Sequence, residues 1–443
     1  MRVFLPISLC LAAGAFCFNA VADSDYSFAN RLTAQAGYGP TLGEIGSDEE
    51  GFGVARYAPS LLWWGGEDAW PKWEVYTRLW FSYSSNGASS PVFEDDQDLQ
   101  EGESAEWRDF YLKVNRLFGS PGVDLTIGRQ RYSSELGVWW DNNLESLKLE
   151  WRQAHSDGFI AFGSRLATYN SAIDELPESE EEILYGFGQW RYSWRNKHYA
   201  GIRLMLEADQ SEAYQAEDPY DVDATRYGLF FQAKDLDGWF SDYYIDLIGI
   251  EGDLVEYAQD QKAQRDFSGW LAAAEFGKRF YDTAWRPRFA LRATVSDEAQ
   301  DRFDGYYLNS MESDRINIES QFRSAASGSL VELTMSNLLM YGVKMELQPR
   351  ARQSLDVLIT QISCRSATGV MPIERTRATD SCAEDNVGQT YDLNYVWDMY
   401  PTRAGSRKVD WRIMVNLSYF AAGSALTPKD SEYQALISTE INF

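Results

Sequence analysis

Arginines occupy the polar side of several segments whose residues alternate between polar and apolar. The arginines in this setting are Arg108, Arg226, Arg286, Arg288, Arg292 and Arg412. In segment 285–295, Phe289 and Leu291 point to the opposite side. An arginine that faces lipid at the membrane midplane costs about 2–4 kcal/mol, so these side chains should face water or pair with acids. A cluster of guanidinium groups in a pore binds carboxylates and favours anions. The alternative is that each arginine neutralises an acidic side chain that faces the same water-filled interior, such as Asp109 or Asp246.

The stretch Gly128–Trp151 places further charged and aromatic side chains between two alternating segments. They are Arg129, Arg131, Glu135, Trp139, Trp140, Asp141 and Glu145. Aromatic faces can stack on sugar rings, and an adjacent carboxylate can accept hydrogen bonds from sugar hydroxyls. Aromatic residues near a strand end also form the interfacial girdle of a membrane barrel. We expect Trp139 and Trp140 to belong to such a girdle at the barrel rim.

Catalytic and metal chemistry find little support in the sequence. The two histidines, His155 and His198, fall at predicted short turns. The adjacency of His155, Ser156 and Asp157 is no evidence for a triad, because triads are assembled in space. Two histidines make no zinc site, and no acidic loop has the spacing of an EF-hand. We therefore predict no enzyme activity, no cofactor and no metal.

Eighteen segments with a period of two must position the chemical groups. They are 31–39, 53–64, 72–82, 105–117, 123–132, 143–153, 158–168, 183–194, 198–208, 224–234, 238–249, 267–279, 285–295, 331–347, 353–363, 389–400, 409–420 and 432–443. Short connections such as 195–197 alternate with long ones such as 94–106 and 296–328, as periplasmic turns alternate with external loops. No helical layer covers the apolar faces of these segments. The predicted fold class is therefore all-β, a transmembrane antiparallel outer-membrane β-barrel of about 18 strands.

The composition suits a barrel with aromatic girdles and a wet interior. Aromatic residues make up 15% of the 443 residues, yet the mean hydropathy is −0.41. An aromatic-rich soluble sandwich that binds carbohydrate is the alternative on composition. The net charge of −27 argues against nucleic acid as a partner, because phosphate binding needs a basic surface.

We expect residues 1–22 to be a secretory signal peptide and residues 23–443 to form a single transmembrane barrel. Arg2 precedes an apolar run, and Ala20-Val21-Ala22 matches the small-residue pattern of a cleavage site. No later run of about 18 apolar residues predicts a membrane helix. The chain is expected in the bacterial outer membrane, in contact with its lipid and as a monomer.

Two cysteines follow the predicted signal peptide, Cys364 and Cys382. They bracket a predicted external loop. Two cysteines in an exported chain favour one disulfide, so we expect them to form a structural bridge.

The run Gly128–Arg131 (GRQR), followed by a W-D-x-N-x-E pattern at 140–145, resembles the signature of the alginate export porin family. The similarity continues at 174–177, 311–315 and 336–338, and together these matches cover most of residues 51–347. The resemblance implies an 18-stranded outer-membrane barrel that passes the polyuronate alginate out of the periplasm. It also implies proteins of a periplasmic secretion complex as partners.

The resemblance further implies which residues line the pore. By position they are Arg56, Arg108, Arg131, Asp141, Arg315, Arg323 and Arg412. Arg129, Arg286, Arg288 and Arg292 are further lumen candidates. The loop that carries Arg315 and Arg323 would fold into the lumen. The sequence departs from the family at Ala172, where an aspartate is expected, in the shortened connection 401–408, and near Met414, where a second arginine is missing.

The predicted function is a porin that conducts an anionic exopolysaccharide, alginate or a related polyuronate, from the periplasm to the exterior through an arginine-rich lumen. One alternative is a porin that imports oligouronates or small organic anions. The other is a barrel that displays surface loops without transport. Neighbouring genes for polymer synthesis or for lyases would separate export from import, and conductance would separate both from display.

Overall fold

A closed antiparallel sheet of eighteen strands makes up most of the described chain. The computed structural model describes residues 24–40, 44–66, 71–85, 101–173, 176, 180, 182–210, 220–258, 261–316, 324–374, 376, 380–399, 409–427 and 431–443. The barrel strands are β1 Ser24–Pro40, β2 Glu49–Gly65, β3 Trp73–Ser85, β4 Gly102–Val114, β5 Val123–Arg131, β6 Asn143–Arg152, β7 Ser156–Ser164, β8 Ile183–Arg195, β9 His198–Asp209, β10 Tyr220–Ala233, β11 Asp242–Ala258, β12 Gln261–Arg279, β13 Arg288–Ser296, β16 Leu338–Arg350, β17 Gln353–Cys364, β18 Asn386–Asp398, β19 Asp410–Ala422 and β20 Glu432–Asn442. Each strand pairs with the next along the chain, and β20 pairs with β1 to close the barrel.

The predicted fold class is confirmed, and every predicted segment overlaps one observed strand. The largest differences lie at strand ends. The predicted segments 238–249 and 267–279 extend toward each other as β11 and β12, which pair as far as Ala258 and Gln261. Within the described residues, no helix is long and apolar enough to cross a membrane.

The two faces of the barrel wall differ in polarity. On β9, Ile202, Leu204 and Leu206 point outward and are 51%, 47% and 43% exposed. Arg203 and Glu207 alternate with them and are buried inside the barrel. Apolar side chains that face outward and polar side chains that face the lumen are the pattern of a barrel surrounded by lipid.

The connection between β13 and β16 folds into the lumen. Its described part carries a two-stranded ribbon, β14 Arg315–Ile316 and β15 Ser324–Ala325. It crosses the barrel, because Tyr306 Oη donates to Val138 O at 3.0 Å while Ser329 N donates to Asp392 Oδ1 on β18 at 2.8 Å. We call its described residues, 297–316 and 324–337, the lumen loop. Its inward fold agrees with what the family resemblance implied for Arg315, whereas Arg323 lies outside the described residues.

The main hydrophobic cluster therefore lies inside the barrel, where the inward loops pack against one another and against inward-facing strand residues. Leu136, Trp139 and Trp140 of the β5–β6 connection pack there with Tyr306 and Met311 of the lumen loop. Trp139 is fully buried and Trp140 is 2% exposed, so the prediction of an interfacial girdle for this pair was wrong. The two rings face inward because residues 132–142, which we call the β5–β6 loop, bend into the lumen with the lumen loop.

A disulfide joins Cys364 and Cys382, at the ends of the connection that follows β17. This bridged segment holds both ends of the lumen loop. Val370 N donates to Ala299 O at 2.9 Å, and Asn337 Nδ2 donates to Val370 O at 2.9 Å. The disulfide thus closes the segment that is hydrogen-bonded to both ends of the lumen loop. We call this segment, which begins at Cys364 and ends at Cys382, the strap.

Candidate functional site in the lumen

Three guanidinium groups converge on one aromatic ring of the lumen wall. Trp80 on β3 is 3% exposed and faces the lumen, since its neighbours Leu79 and Phe81 point outward. The guanidinium carbons of Arg56, Arg108 and Arg78 lie 3.7, 4.4 and 5.4 Å from its ring centroid. At these distances each cation is attracted by the face of the ring. We call this group the Trp80 cluster.

A β-bulge turns Arg108 toward the lumen. Arg78 pairs with Asp109, but the next residue, Leu79, pairs with Trp107, so Arg108 is the extra residue on β4. Arg108 and Asp109 are consequently both buried inside the barrel, although they are adjacent in a strand. Bulges re-aim side chains in this way and often lie beside functional sites.

The GRQR and W-D-x-N-x-E residues support this bulge. The backbone carbonyl of Arg108 accepts hydrogen bonds from Arg129 Nε at 3.2 Å and from Asn143 Nδ2 at 2.8 Å. Arg129 is in turn held by Glu145, with 2.7 Å between Nη1 and Oε1. Gly128 has a φ of +126°, and a Cβ there would lie 2.3 Å from Phe110 O. The spacing of the signature is therefore explained by contacts between β4, β5 and β6.

Acidic side chains also contact the Trp80 cluster. Asp109 Oδ2 lies 2.6 Å from Arg78 Nε, and Glu106 Oε1 lies 3.0 Å from Arg108 Nη1. Arg56 Nε donates to Ser82 Oγ at 2.9 Å. The guanidinium groups are therefore held by a mixture of carboxylates, a hydroxyl and an aromatic face.

Arg131 and Asp141 connect the β5–β6 loop to the lumen loop. Arg131 Nη2 lies 2.7 Å from Asp141 Oδ1, and Ser313 Oγ donates to Asp141 Oδ2 at 2.7 Å. Gly137 N donates to Arg315 O at 2.7 Å, and Arg315 is buried. Asp141 thus joins Arg131 to the lumen loop, and Arg315 contacts the β5–β6 loop through its backbone carbonyl.

Replacing Gly137 with alanine should loosen the contact between the two loops. A Cβ at this position would lie 2.2 Å from Ser313 Oγ and 2.8 Å from Ser313 O. Overpacking of this kind costs about 1–3 kcal/mol, so we expect proteases added to the folded barrel to cut the lumen loop faster. Gly53→Ala is the matched control, because the nearest atoms to its Cβ are 3.8 Å away. Equal cutting of both variants and the parent protein would contradict the prediction.

A second group of arginines is buried against carboxylates on the opposite part of the wall. Its ion pairs are Arg203 with Asp246 and Glu135, Arg226 with Glu207 and Glu312, Arg288 with Asp242, Glu275 and Glu346, and Arg292 with Glu275. The contacts of this group are those expected if the arginines neutralise acidic side chains in the lumen. Glu135 and Glu312 come from the β5–β6 loop and the lumen loop, so Arg203 and Arg226 also fasten these loops to the wall.

Glu312 and Arg226 form the least exposed ion pair of this network. Glu312 Oε1 is 3.0 Å from Arg226 Nε, and both side chains have no exposed surface. Burial raises the pKa of Glu312 to about 8, although Arg226 acts in the opposite direction. The carboxyl groups of Glu207 and Glu312 thus contact the same guanidinium group, that of Arg226.

Two further predicted arginines belong to none of the groups described above. Arg412 is paired with Asp398 at 2.7 Å near the start of β19, and its side chain is 38% exposed. Arg286 lies in the turn before β13, is exposed and has a φ of +41°, so its prediction on the polar face of a strand was wrong. The strand starts two residues later, after Pro287, which cannot donate a hydrogen bond to a sheet.

Arg78, Trp80 and Glu106 were not among the residues predicted from the sequence. Arg78 and Trp80 are two residues apart in an alternating segment, and this spacing places them on one face of a strand. That signal was present in the sequence. The approach of Arg108 to Trp80 was not, because it depends on the bulge in β4.

Comparison of the sequence with known proteins gives matches to one family. The family model described as Alginate export matches residues 63–437. The alginate production protein AlgE of Pseudomonas syringae pv. tomato is 27% identical over 237 residues, which cover 49% of this chain and 46% of that protein. AlgE of Pseudomonas aeruginosa is 24% identical over 216 residues, covering 47% of this chain and 43% of that protein. The alignments thus span slightly less than half the length of these relatives.

Solved structures show the same fold at low sequence identity. The Pseudomonas aeruginosa protein OccK2 (OpdF), solved in complex with glucuronate, gives a TM-score of 0.54 at 10% identity and covers 95% of this chain and 98% of its own. Acinetobacter baumannii OccAB2 gives 0.55 at 10% identity, with coverage of 95% and 98%. The family is one of export proteins, which agrees with the prediction that the chain is not an enzyme. The chain belongs to the alginate export family and is a β-barrel protein of the bacterial outer membrane.

Proposed function

We propose that the barrel conducts an anionic polysaccharide, alginate or a related polyuronate, from the periplasm to the exterior. The observation that carries this proposal is the convergence of Arg56, Arg78 and Arg108 on Trp80 at the lumen wall. A guanidinium group presents a planar set of donors that matches a carboxylate. The cluster would replace the counterions of the polymer as successive uronate residues pass it.

Release of the polymer needs contacts that are individually weak. Glu106 and Asp109 already contact Arg108 and Arg78 at 3.0 and 2.6 Å. These acids compete with a uronate carboxylate for the same guanidinium groups, so each contact with the polymer can exchange quickly. Conduction requires binding that is strong enough for the polymer to enter and weak enough for it to leave.

The remaining predicted arginines take different parts in this proposal. Arg412, near the periplasmic end of β19, contacts the polymer as it enters. Arg131, Asp141 and Arg315 hold the two inward loops together and keep the lumen narrow when no polymer is passing. Arg129 supports the bulge at Arg108. Arg323 is assigned to the pore lining by the family resemblance alone. Arg288 and Arg292 stabilise the wall.

The measurement that tests the proposal is the conductance of the purified barrel in a planar bilayer. We expect a reversal potential of anionic sign in a salt gradient, because cations on the lumen wall attract anions. Polymannuronate should block the current, whereas a neutral polysaccharide of the same length should not. Cation selectivity, or equal block by both polymers, would contradict the proposal.

The surface-display alternative is favoured by one observation, the amount of chain packed inside the barrel. A closed lumen with no current in the same bilayer experiment would support it.

Import of oligouronates would also give an anion-selective pore, and it is distinguished by uptake of labelled oligouronates into cells that produce the barrel. Monomeric state and contact with periplasmic secretion proteins are part of the proposal, and crosslinking in cells would test both.

A further inference from the structure

Trp80 is the centre of the arginine group, yet it carries no charge itself. Its ring is within 6 Å of three guanidinium carbons, and it is buried in the lumen wall opposite Glu106 of β4. The three arginines come from β2, β3 and β4. One side chain thus contacts the cationic groups of three neighbouring strands.

Holding several cations close together requires an attractive partner, because like charges repel strongly where water is scarce. A carboxylate can serve, but it cancels the charge it attracts. The face of an indole ring attracts a guanidinium group through its quadrupole and leaves the charge in place. Arg56 shows the closest such contact, with 3.7 Å between its guanidinium carbon and the ring centroid.

We propose that Trp80 is a positioning residue that sets the preference of the pore for anions and its affinity for polyuronate. It holds Arg56, Arg78 and Arg108 at fixed separations on the lumen wall, beside the carboxylates of Glu106 and Asp109. This inference rests on the proposed function, since it concerns the same cluster. Trp80 attracts all three guanidinium groups without adding a further negative charge to the cluster.

The test compares three variants in planar bilayers: Trp80→Ala, Trp80→Phe and Trp107→Ala. Trp107 is the matched control, since it is a tryptophan of the adjacent strand that faces outward and is 46% exposed. The readouts are the reversal potential in a salt gradient and the concentration of polymannuronate that halves the current. Migration of unheated samples on gels and circular dichroism show whether each variant is folded.

We expect Trp80→Ala to weaken block by polymannuronate roughly threefold to thirtyfold, the range that cation–π contacts contribute. Its reversal potential should move toward zero. Trp80→Phe should recover much of both values, and Trp107→Ala should leave them unchanged. If Trp80 only filled space, the Trp80→Ala variant would differ from the parent barrel in single-channel conductance but not in ion selectivity.

The inference is overturned if folded Trp80→Ala keeps the selectivity and block of the parent barrel, or if Trp80→Phe is as impaired as Trp80→Ala. These outcomes are separate from failure of the proposed function. That failure would appear in the parent barrel itself, as cation selectivity or absence of block by polymannuronate. Should Trp80→Ala fail to fold, Trp80→Phe and Trp80→Leu carry the same comparison, with Leu expected to lose selectivity.

Discussion

Replacing Arg56 and Arg108 together with glutamate should change the preference of the pore from anions to cations. The double change turns two positive charges beside Trp80 into two negative ones, next to the existing carboxylates of Glu106 and Asp109. Charges on a lumen wall act through a medium of lower dielectric than bulk water, so their effect on permeating ions is large. The reversal potential in a salt gradient should therefore change sign, and block by polymannuronate should be lost.

The control for this experiment is Arg195→Glu, because Arg195 is exposed at the end of β8, beside the turn to β9. It changes the net charge of the protein in the same direction without altering the lumen. The milder pair Arg56→Gln and Arg108→Gln keeps the prediction testable if two added carboxylates prevent folding. It should bring the reversal potential close to zero. An unchanged sign in R56E/R108E, or equal effects of R195E, would contradict the assignment of these arginines to the conduction path.

Deleting most of the lumen loop should raise the single-channel conductance several-fold. The variant lacks residues 301–334 and joins the remaining ends with a short glycine–serine linker. Barrels of 16 to 18 strands enclose a water-filled channel unless a segment of chain fills it. Here the loop spans the interior from the β5–β6 loop to β18 and β19. Its removal should widen the path and reduce the selectivity of the pore among anions of different size.

Serine variants of Cys364 and Cys382 give a graded comparison with the deletion. They keep the lumen loop but remove the covalent closure of the strap that contacts Ala299 and Asn337. We expect more frequent transitions between conductance levels, because the loop keeps its hydrogen bonds and ion pairs while losing one restraint. If the deletion left the conductance unchanged, the path would not pass the lumen loop, and the proposal that the inward loops keep the lumen narrow would be wrong.

Most of the barrel could be predicted from the sequence because each strand has one face in lipid and one in water. The period of two is then visible strand by strand, as in Ile202, Leu204 and Leu206 against Arg203 and Glu207. Strand ends were less predictable where pairing continues beyond the membrane. β11 and β12 extend to Ala258 and Gln261, and such extensions need no apolar face.

The candidate site could be predicted only in part. Arg108 carried the signal of a lumen residue, but a single extra residue in β4 reverses the side chains that follow, and sequence spacing does not reveal it. Trp139 and Trp140 were misplaced because an aromatic pair beside a strand end looks the same at a lipid interface and inside a packed loop. Asp141 and Ser313 are distant in sequence, so their contact at 2.7 Å depends on two loops that meet in the lumen.

The hydrophobic cluster inside the barrel stays exposed until the barrel closes. Its members, among them Leu136, Trp139, Tyr306 and Leu333, are buried where the inward loops pack inside the closed barrel. Closure pairs Arg31 with Asn442, so it cannot occur before the whole chain has been exported. Contacts of such long separation form slowly. Until then these apolar loops face the water of the periplasm, and the chain should depend on holding chaperones to avoid aggregation during transit.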